Sequence, residues 1–151
     1  MNDGTTGQSM PHPVTIRRFR PDDEPTVIRL WESCGLLRPQ NDPHKDIARK
    51  LRVNPEWFLV AESDGFLVGA VMAGYEGHRG WINYLAVHPD HRRTGLGRKM
   101  MAEAERSLRA VGCPKINLQV RPENREAISF YERIGFNVEG AISLGKRLEV
   151  D

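Results

Sequence analysis

The amino-acid sequence predicts an α/β fold, a mixed sheet with helices packed on it. Two observations carry that prediction. Alternating apolar residues and helical spacing trade places along the chain, in the order strand, helix, helix, three strands, helix, strand, helix, two strands. Glycine, proline and acidic turn residues stand at most of the changes of period. With 151 residues, 39% hydrophobic and 28% charged, the chain can bury a core of its own as a single domain over residues 14–151. Residues 1–13, MNDGTTGQSMPHP, are polar and glycine-rich, and a disordered tail is expected there.

Each element has its own signal. Val14, Thr15, Ile16 and Arg17 alternate as a first strand. The acidic and proline-flanked run over residues 21–25 predicts a helix N-terminus, Val27, Leu30 and Trp31 its apolar face, and Gly35 its stop. A second helix is expected from about Pro43 to Arg52, with Ile47 and Leu51 on one side. Residues 57–62 and 66–72, joined by Ser63-Asp64-Gly65, form a hairpin signal. A turn over residues 76–80 leads into a third strand, 81–87, which Pro89 ends. After Gly97, residues Met100, Met101, Ala104, Leu108 and Val111 keep helical spacing until Gly112 and Pro114. Residues 115–120 predict a strand, Asn124 opens a helix carrying Ala127, Ile128, Tyr131 and Ile134, and Gly135 closes it. Two short terminal strands are expected at 136–138 and 141–148.

Several function classes are disfavoured by composition. The longest apolar run, residues 66–73, is far too short to span a bilayer and contains Gly69. No basic segment followed by an apolar stretch opens the chain, so a cytoplasmic location without membrane attachment is expected. A net charge of +2 gives no reason to expect a nucleic-acid partner. Cys34 and Cys113 lie far apart without metal-ligand spacing, and fit free thiols in a reducing compartment with no metal.

The stretch VHPDHRRTGLGRKM, residues 87–100, carries the chemistry. It falls between a strand and a helix, where free N–H groups and the helix dipole favour an anion. Gly95 and Gly97 allow close backbone approach, and Arg92, Arg93 and Arg98 can add charge-assisted contacts. A nucleoside-triphosphate loop would need Gly-Lys-Ser/Thr after four intervening residues, which is absent. A dinucleotide fingerprint would need a third glycine where Met100 stands. Taken alone, the loop is equally a tight turn on a solvated basic face.

The loop has a partner. Leu85-Ala86-Val87-His88-Pro89-Asp90 precedes Arg92-x-x-Gly95-x-Gly97, and Asn124-x-x-Ala127-x-x-Phe130-Tyr131-x-x-x-Gly135-Phe136 comes one strand later. Together these resemble the GNAT superfamily of acyl-CoA-dependent N-acetyltransferases. The resemblance runs from Val14 to the C-terminus in element order, with its specific part over residues 85–136. It implies a mostly antiparallel sheet of about six to seven strands, about four flanking helices and a splayed central strand pair. It also implies acetyl-CoA as cosubstrate and direct acetyl transfer to an amine, on a small molecule or a peptide. The alternative is an acyl-CoA-binding regulatory module that no longer transfers.

Residue by residue, the resemblance places Leu85, Ala86 and Val87 along the pantetheine arm and acetyl carbonyl through their main chain. Arg92, Arg93, Thr94, Gly95, Leu96, Gly97 and Arg98 match the pyrophosphate cradle. Asn124 matches a contact to the cofactor arm, and its position also suits a helix N-cap. Tyr131 matches a cofactor-contacting general acid that protonates the leaving thiolate. The base stays open. Relatives that acetylate protein N-termini often carry Glu where this chain has Gln119, which cannot serve as a base. Glu76, His78 and Tyr84 remain candidates, as does a water chain with no single dominant base. The resemblance puts the acceptor groove along residues 31–54 and 136–148, where Arg38, His44, Lys45, Arg49, Lys50 and Arg52 cluster in sequence. In such folds apolar terminal strands can pair between subunits, so the resemblance also allows a homodimer.

Overall fold

The computed structural model describes residues 13–151, so the expected tail, save its last residue, lies outside the described part. The elements follow as β1 (Val14–Arg18), α1 (Glu24–Ser33), α2 (Pro43–Lys50), β2 (Phe58–Ser63), β3 (Phe66–Tyr75), β4 (Gly80–Val87), α3 (Leu96–Ala110), β5 (Ile116–Leu118) and α4 (Arg125–Arg133). The strands lie side by side in sequence order, antiparallel except for the last pair, β4 with β5.

Local chemistry accounts for the boundaries. Asp64 and Gly65 both take positive φ, 51° and 79°, the conformation a two-residue hairpin between β2 and β3 demands. Asp42 caps α2 by accepting from the His44 and Lys45 N–H groups, with Pro43 in the first turn. The sheet buries both faces because successive residues of β2 and β3 point opposite ways. Phe58, Val60, Ala70 and Met72 join Trp31 and Ile47 under α1 and α2. Ala61, Val71 and Ala73 join Met100, Ala104 and Leu108 under α3, with Phe130 and Tyr131 of α4 packed alongside.

Two expectations need correction. Among the described residues the sheet has five strands, since residues 136–138 and 141–148 join no backbone ladder. They are held beside β5 through side chains instead. Asn117 donates to Glu139 at 2.7 Å, Lys115 pairs with the same carboxylate, and Gln119 donates to the Ser143 hydroxyl. Further on, Arg147 donates to Asn41 at 2.6 Å, and Asp151 accepts from Arg49 at 2.8 Å and the Asp42 N–H at 3.0 Å. These polar anchors draw the terminal segment toward α2 and off the sheet edge. The strand expected over residues 115–120 is also shorter, because only Ile116–Leu118 finds partners on β4.

Arg17 ties β1 to the start of α1 and to β2. It reaches both Asp23 oxygens, at 2.8 and 3.0 Å, and Glu62 at 2.9 Å. The Arg17 guanidinium, helped by the Arg20 N–H, holds the Asp23 carboxyl below its usual range. A depressed carboxylate adds stability above its unfolded pKa and loses it as pH falls through the folded one. Asp23→Asn should therefore cost about 1.5–3 kcal/mol at pH 7, the range for hydrogen bonds to charged groups. That cost should fade below about pH 4. Urea melts of both proteins from pH 7 to pH 3 check this, and a constant difference would exclude the ion-pair account.

Candidate active site

The parallel ladder between β4 and β5 stops early. Gly80, Trp81 and Ile82 pair with Ile116, Asn117 and Leu118, and no pair follows. Beyond that point β4 continues along β3 alone, with Ala86 opposite Ala70 and Val87 opposite Gly69. The strands therefore splay, and the β5-facing edge of β4 beyond Ile82 has no ladder partner. A bulge lies inside this stretch. Met72 pairs with Asn83 and Ala70 with Ala86, which leaves Tyr84 and Leu85 opposite Val71 alone. Tyr84 takes a φ of 53°, a left-handed conformation that costs a non-glycine residue about 1–3 kcal/mol. The bulge sends neighbouring side chains to opposite faces: Tyr84 packs on the α1 and α2 cluster, Leu85 on the α3 and α4 cluster.

The glycine loop follows directly. Gly95 is the N-cap of α3 at φ 83°, and Arg93 is also left-handed at 62°. The first backbone bond closing the helix is from Lys99 N–H to Gly95 at 3.1 Å. Among the described residues, the N–H groups of Arg93, Thr94, Gly95, Leu96, Gly97 and Arg98 find no backbone acceptor. The Arg92, Arg93 and Arg98 side chains are exposed around them. Gly97 has a further reason to be glycine. A Cβ there would stand 3.1 Å from the Phe130 ring and 3.7 Å from Val87 Cγ2, so its absence lets β4, α3 and α4 meet at one point.

Opposite the loop stands α4. Asn124 is its N-cap, accepting from the Ala127 N–H at 3.2 Å, which leaves the amide's donor end available. At the other end Gly135, with φ 103°, lets the chain turn back. Gly135 N–H then donates to Glu132 and Phe136 N–H to Tyr131, the paired bonds of a Schellman stop. That stop sets the Phe136 ring edge-on to Tyr131 at 5.6 Å, with Phe130 at 5.1 Å on its other flank. The Tyr-x-x-x-Gly-Phe spacing is thus a device for fixing the tyrosine ring. Burial pushes the Tyr131 phenol up to about 12, so it is protonated at neutral pH.

On the other face of the bulge, Tyr84 stacks on Trp31 at 3.9 Å and donates to Asp46 at 2.6 Å. Burial first, then the Asp46 carboxylate, pushes its phenol well above the usual tyrosine value. Asp46 also accepts from Arg49 at 3.4 Å. Sequence reasoning weighed the cations of this helix and passed over Asp46, whose only signal was its place one residue before the core position Ile47.

The other candidates stand apart. Glu76 lies in the turn between β3 and β4 and accepts from the His78 and Arg79 N–H groups at 3.1 and 2.7 Å. His78 is exposed beside it. Gln119 is engaged with Ser143. The expected acceptor cations are spread: Lys50 turns inward to the Ala73 carbonyl, and Arg49 is taken up by Asp46 and Asp151.

Comparisons with known proteins agree with this geometry. The family model described as Acetyltransferase (GNAT) family matches residues 20–136. A protein named acetyltransferase from Yersinia pestis (strain Pestoides F) is 52% identical over 138 residues, covering 91% of this chain and 98% of that protein. The crystal structure of Ard1 from Thermoplasma volcanium superposes with a TM-score of 0.76 at 30% identity, over 84% of each chain. AAC(6')-Iy, bound to the bisubstrate analogue CoA-S-monomethyl-acetylneamine, shares the fold with a TM-score of 0.73 at 20% identity, over 89% of this chain and 99% of that one. From the splayed strands, the glycine loop and these likenesses together, the chain belongs to the GNAT acetyltransferase family.

Proposed function

We propose that this protein transfers an acetyl group from acetyl-CoA to an amine nitrogen by direct attack in a ternary complex. The observation that carries the reading is the free edge of β4 running into a loop of unpaired N–H groups. An extended thioester arm suits the strand edge, and a pyrophosphate suits the loop, where the helix dipole and Arg92, Arg93 and Arg98 favour negative charge. The Asn124 amide oxygen is taken by the cap, and its N–H groups are assigned to the arm.

Transfer forms a carbon–nitrogen bond and breaks a carbon–sulfur bond, so one proton must leave nitrogen and one must reach sulfur. Tyr131 is assigned the second task; no acceptor engages its hydroxyl among the described residues, so its proton is available to a thiolate. Tyr84 is assigned the first. A raised phenol is a poor base alone, but it can take the amine proton while passing its own to Asp46. Neither Glu76 nor His78 is needed in this scheme.

The test is thiol release from acetyl-CoA with a panel of primary amines, polyamines, peptides with free N-termini and aminoglycosides. Release with at least one acceptor, and stabilisation of the fold by about 2.7 kcal/mol at CoA concentrations of 100 Kd, are expected. Stabilisation without release on any acceptor would favour a binding module. Absence of both would sink the cofactor assignment.

A further inference from the structure

The hydrogen bonds that start at Tyr84 continue past Asp46. Tyr84 donates to one oxygen of Asp46 at 2.6 Å, and Arg49 donates to the other at 3.4 Å. Arg49 also holds Asp151, at 2.8 Å to one oxygen and 3.4 Å to the other. The second Asp151 oxygen accepts from the Asp42 N–H at 3.0 Å as well. One carboxylate is thus gripped by both terminal nitrogens of a guanidinium and by a backbone donor, the arrangement that recognises a carboxylate specifically. Its charge is felt at Tyr84, where it adds to burial and to Asp46 in raising the phenol.

Apolar packing does not fix the segment that delivers this carboxylate. The Asp151 side chain is 4% exposed, whereas Leu148 and Val150 are 87% and 90% exposed. Lys146, Arg147 and Glu149 border, with Arg49 and Asp151, a cavity of about 710 Å3. A buried carboxylate on an unpacked segment is an occupant that a ligand can displace. The neighbouring charges say which ligand. Tyr84 and Asp46 suit an amine, and Arg49 beside them suits an anion, so the pair matches one molecule carrying both groups. We propose that Arg49 and the Asp42 N–H form a subsite for the carboxylate of the amine acceptor, which Asp151 fills until that acceptor binds. The ligand is a primary amine with a carboxylate a few bonds away, supplied by a free amino acid or by an acidic residue beside a peptide N-terminus. Calling it the acceptor rests on the acetyl transfer proposed above; the carboxylate subsite does not.

The test is calorimetry on the full chain saturated with CoA, where no transfer occurs. Each standard L-amino acid is compared with its amide, and amidated peptides with aspartate in second position are compared with the same peptides carrying asparagine. In at least one pair the carboxylate should bind about tenfold or more tightly than the amide, and the series that contains it identifies the source. Arg49→Gln should abolish that preference, and Arg49→Lys, which keeps the charge and loses the fork, should restore only part of it. Asp151→Asn weakens the internal competitor, so the same carboxylate should bind about threefold or more tightly, with circular dichroism and stabilisation by CoA unchanged. No preference in any pair, a preference that survives Arg49→Gln, or weaker or unchanged binding in Asp151→Asn would each overturn the subsite. Thiol release from amines without a carboxylate, alongside any of those results, leaves acetyl transfer standing. A carboxylate preference without release on any acceptor supports the subsite and counts against transfer.

Discussion

Tyr131→Phe is expected to lower kcat about a hundredfold or more while leaving stabilisation by CoA unchanged, since general acids contribute roughly 10²–10⁴-fold. The substitution deletes one hydroxyl and keeps the ring, so the contacts with Phe130 and Phe136 persist. Loss of catalysis without loss of fold or of cofactor binding is therefore the signature of the acid role. The pH profile adds an independent check. With the phenol pushed up to about 12, Tyr131 keeps its proton across the working range and contributes no alkaline limb below about pH 11. An unchanged kcat in the variant would refute the assignment. A wild-type alkaline limb near pH 9 that the variant abolishes would instead keep the acid role and show that burial does not raise the phenol.

Asp46→Asn should reduce kcat/KM for the amine about tenfold to a hundredfold, with the KM for acetyl-CoA little changed. The amide keeps the shape and can still accept from the Tyr84 hydroxyl, but it cannot receive a proton at neutral pH. The relay then ends at Tyr84, and attack depends on amine that is already deprotonated. The deficit should accordingly shrink as pH rises toward the pKa of the acceptor. A deficit that is the same at every pH would mean that Asp46 only props Tyr84 against Trp31. Tyr84→Phe should reproduce the same pH-dependent loss, because it cuts the relay at the adjacent link.

Much of this architecture was legible in the sequence because its signals are local. Ser63-Asp64-Gly65 marks a hairpin through backbone conformation alone. Gly35, Gly112 and Gly135 mark three helix stops closed by the same pair of bonds. The glycine loop was equally plain, although Gly97 is required by the Phe130 ring as well as by any phosphate. The terminal strands misled because alternation shows only that a segment suits a ladder. Whether it joins one depended on Arg49 and Asn41, about a hundred residues earlier in the chain. Asp46 was hidden for a related reason. Its importance comes from Tyr84, and the two are brought together by the bulge in β4, which no periodicity reports.

The splay between β4 and β5 has a consequence for how such a protein can change. Main-chain groups of Asn83 to Val87 are the same whatever side chains they carry, so a scan of single replacements there would register packing and little else. A ligand held by that edge is recognised in a form that mutation cannot easily erase. The helices across the sheet present only side chains, which are replaced one at a time. Under the proposed function, donor and acceptor preferences would be stored in two different media, one durable and one editable, and selection could rewrite the second while leaving the first intact.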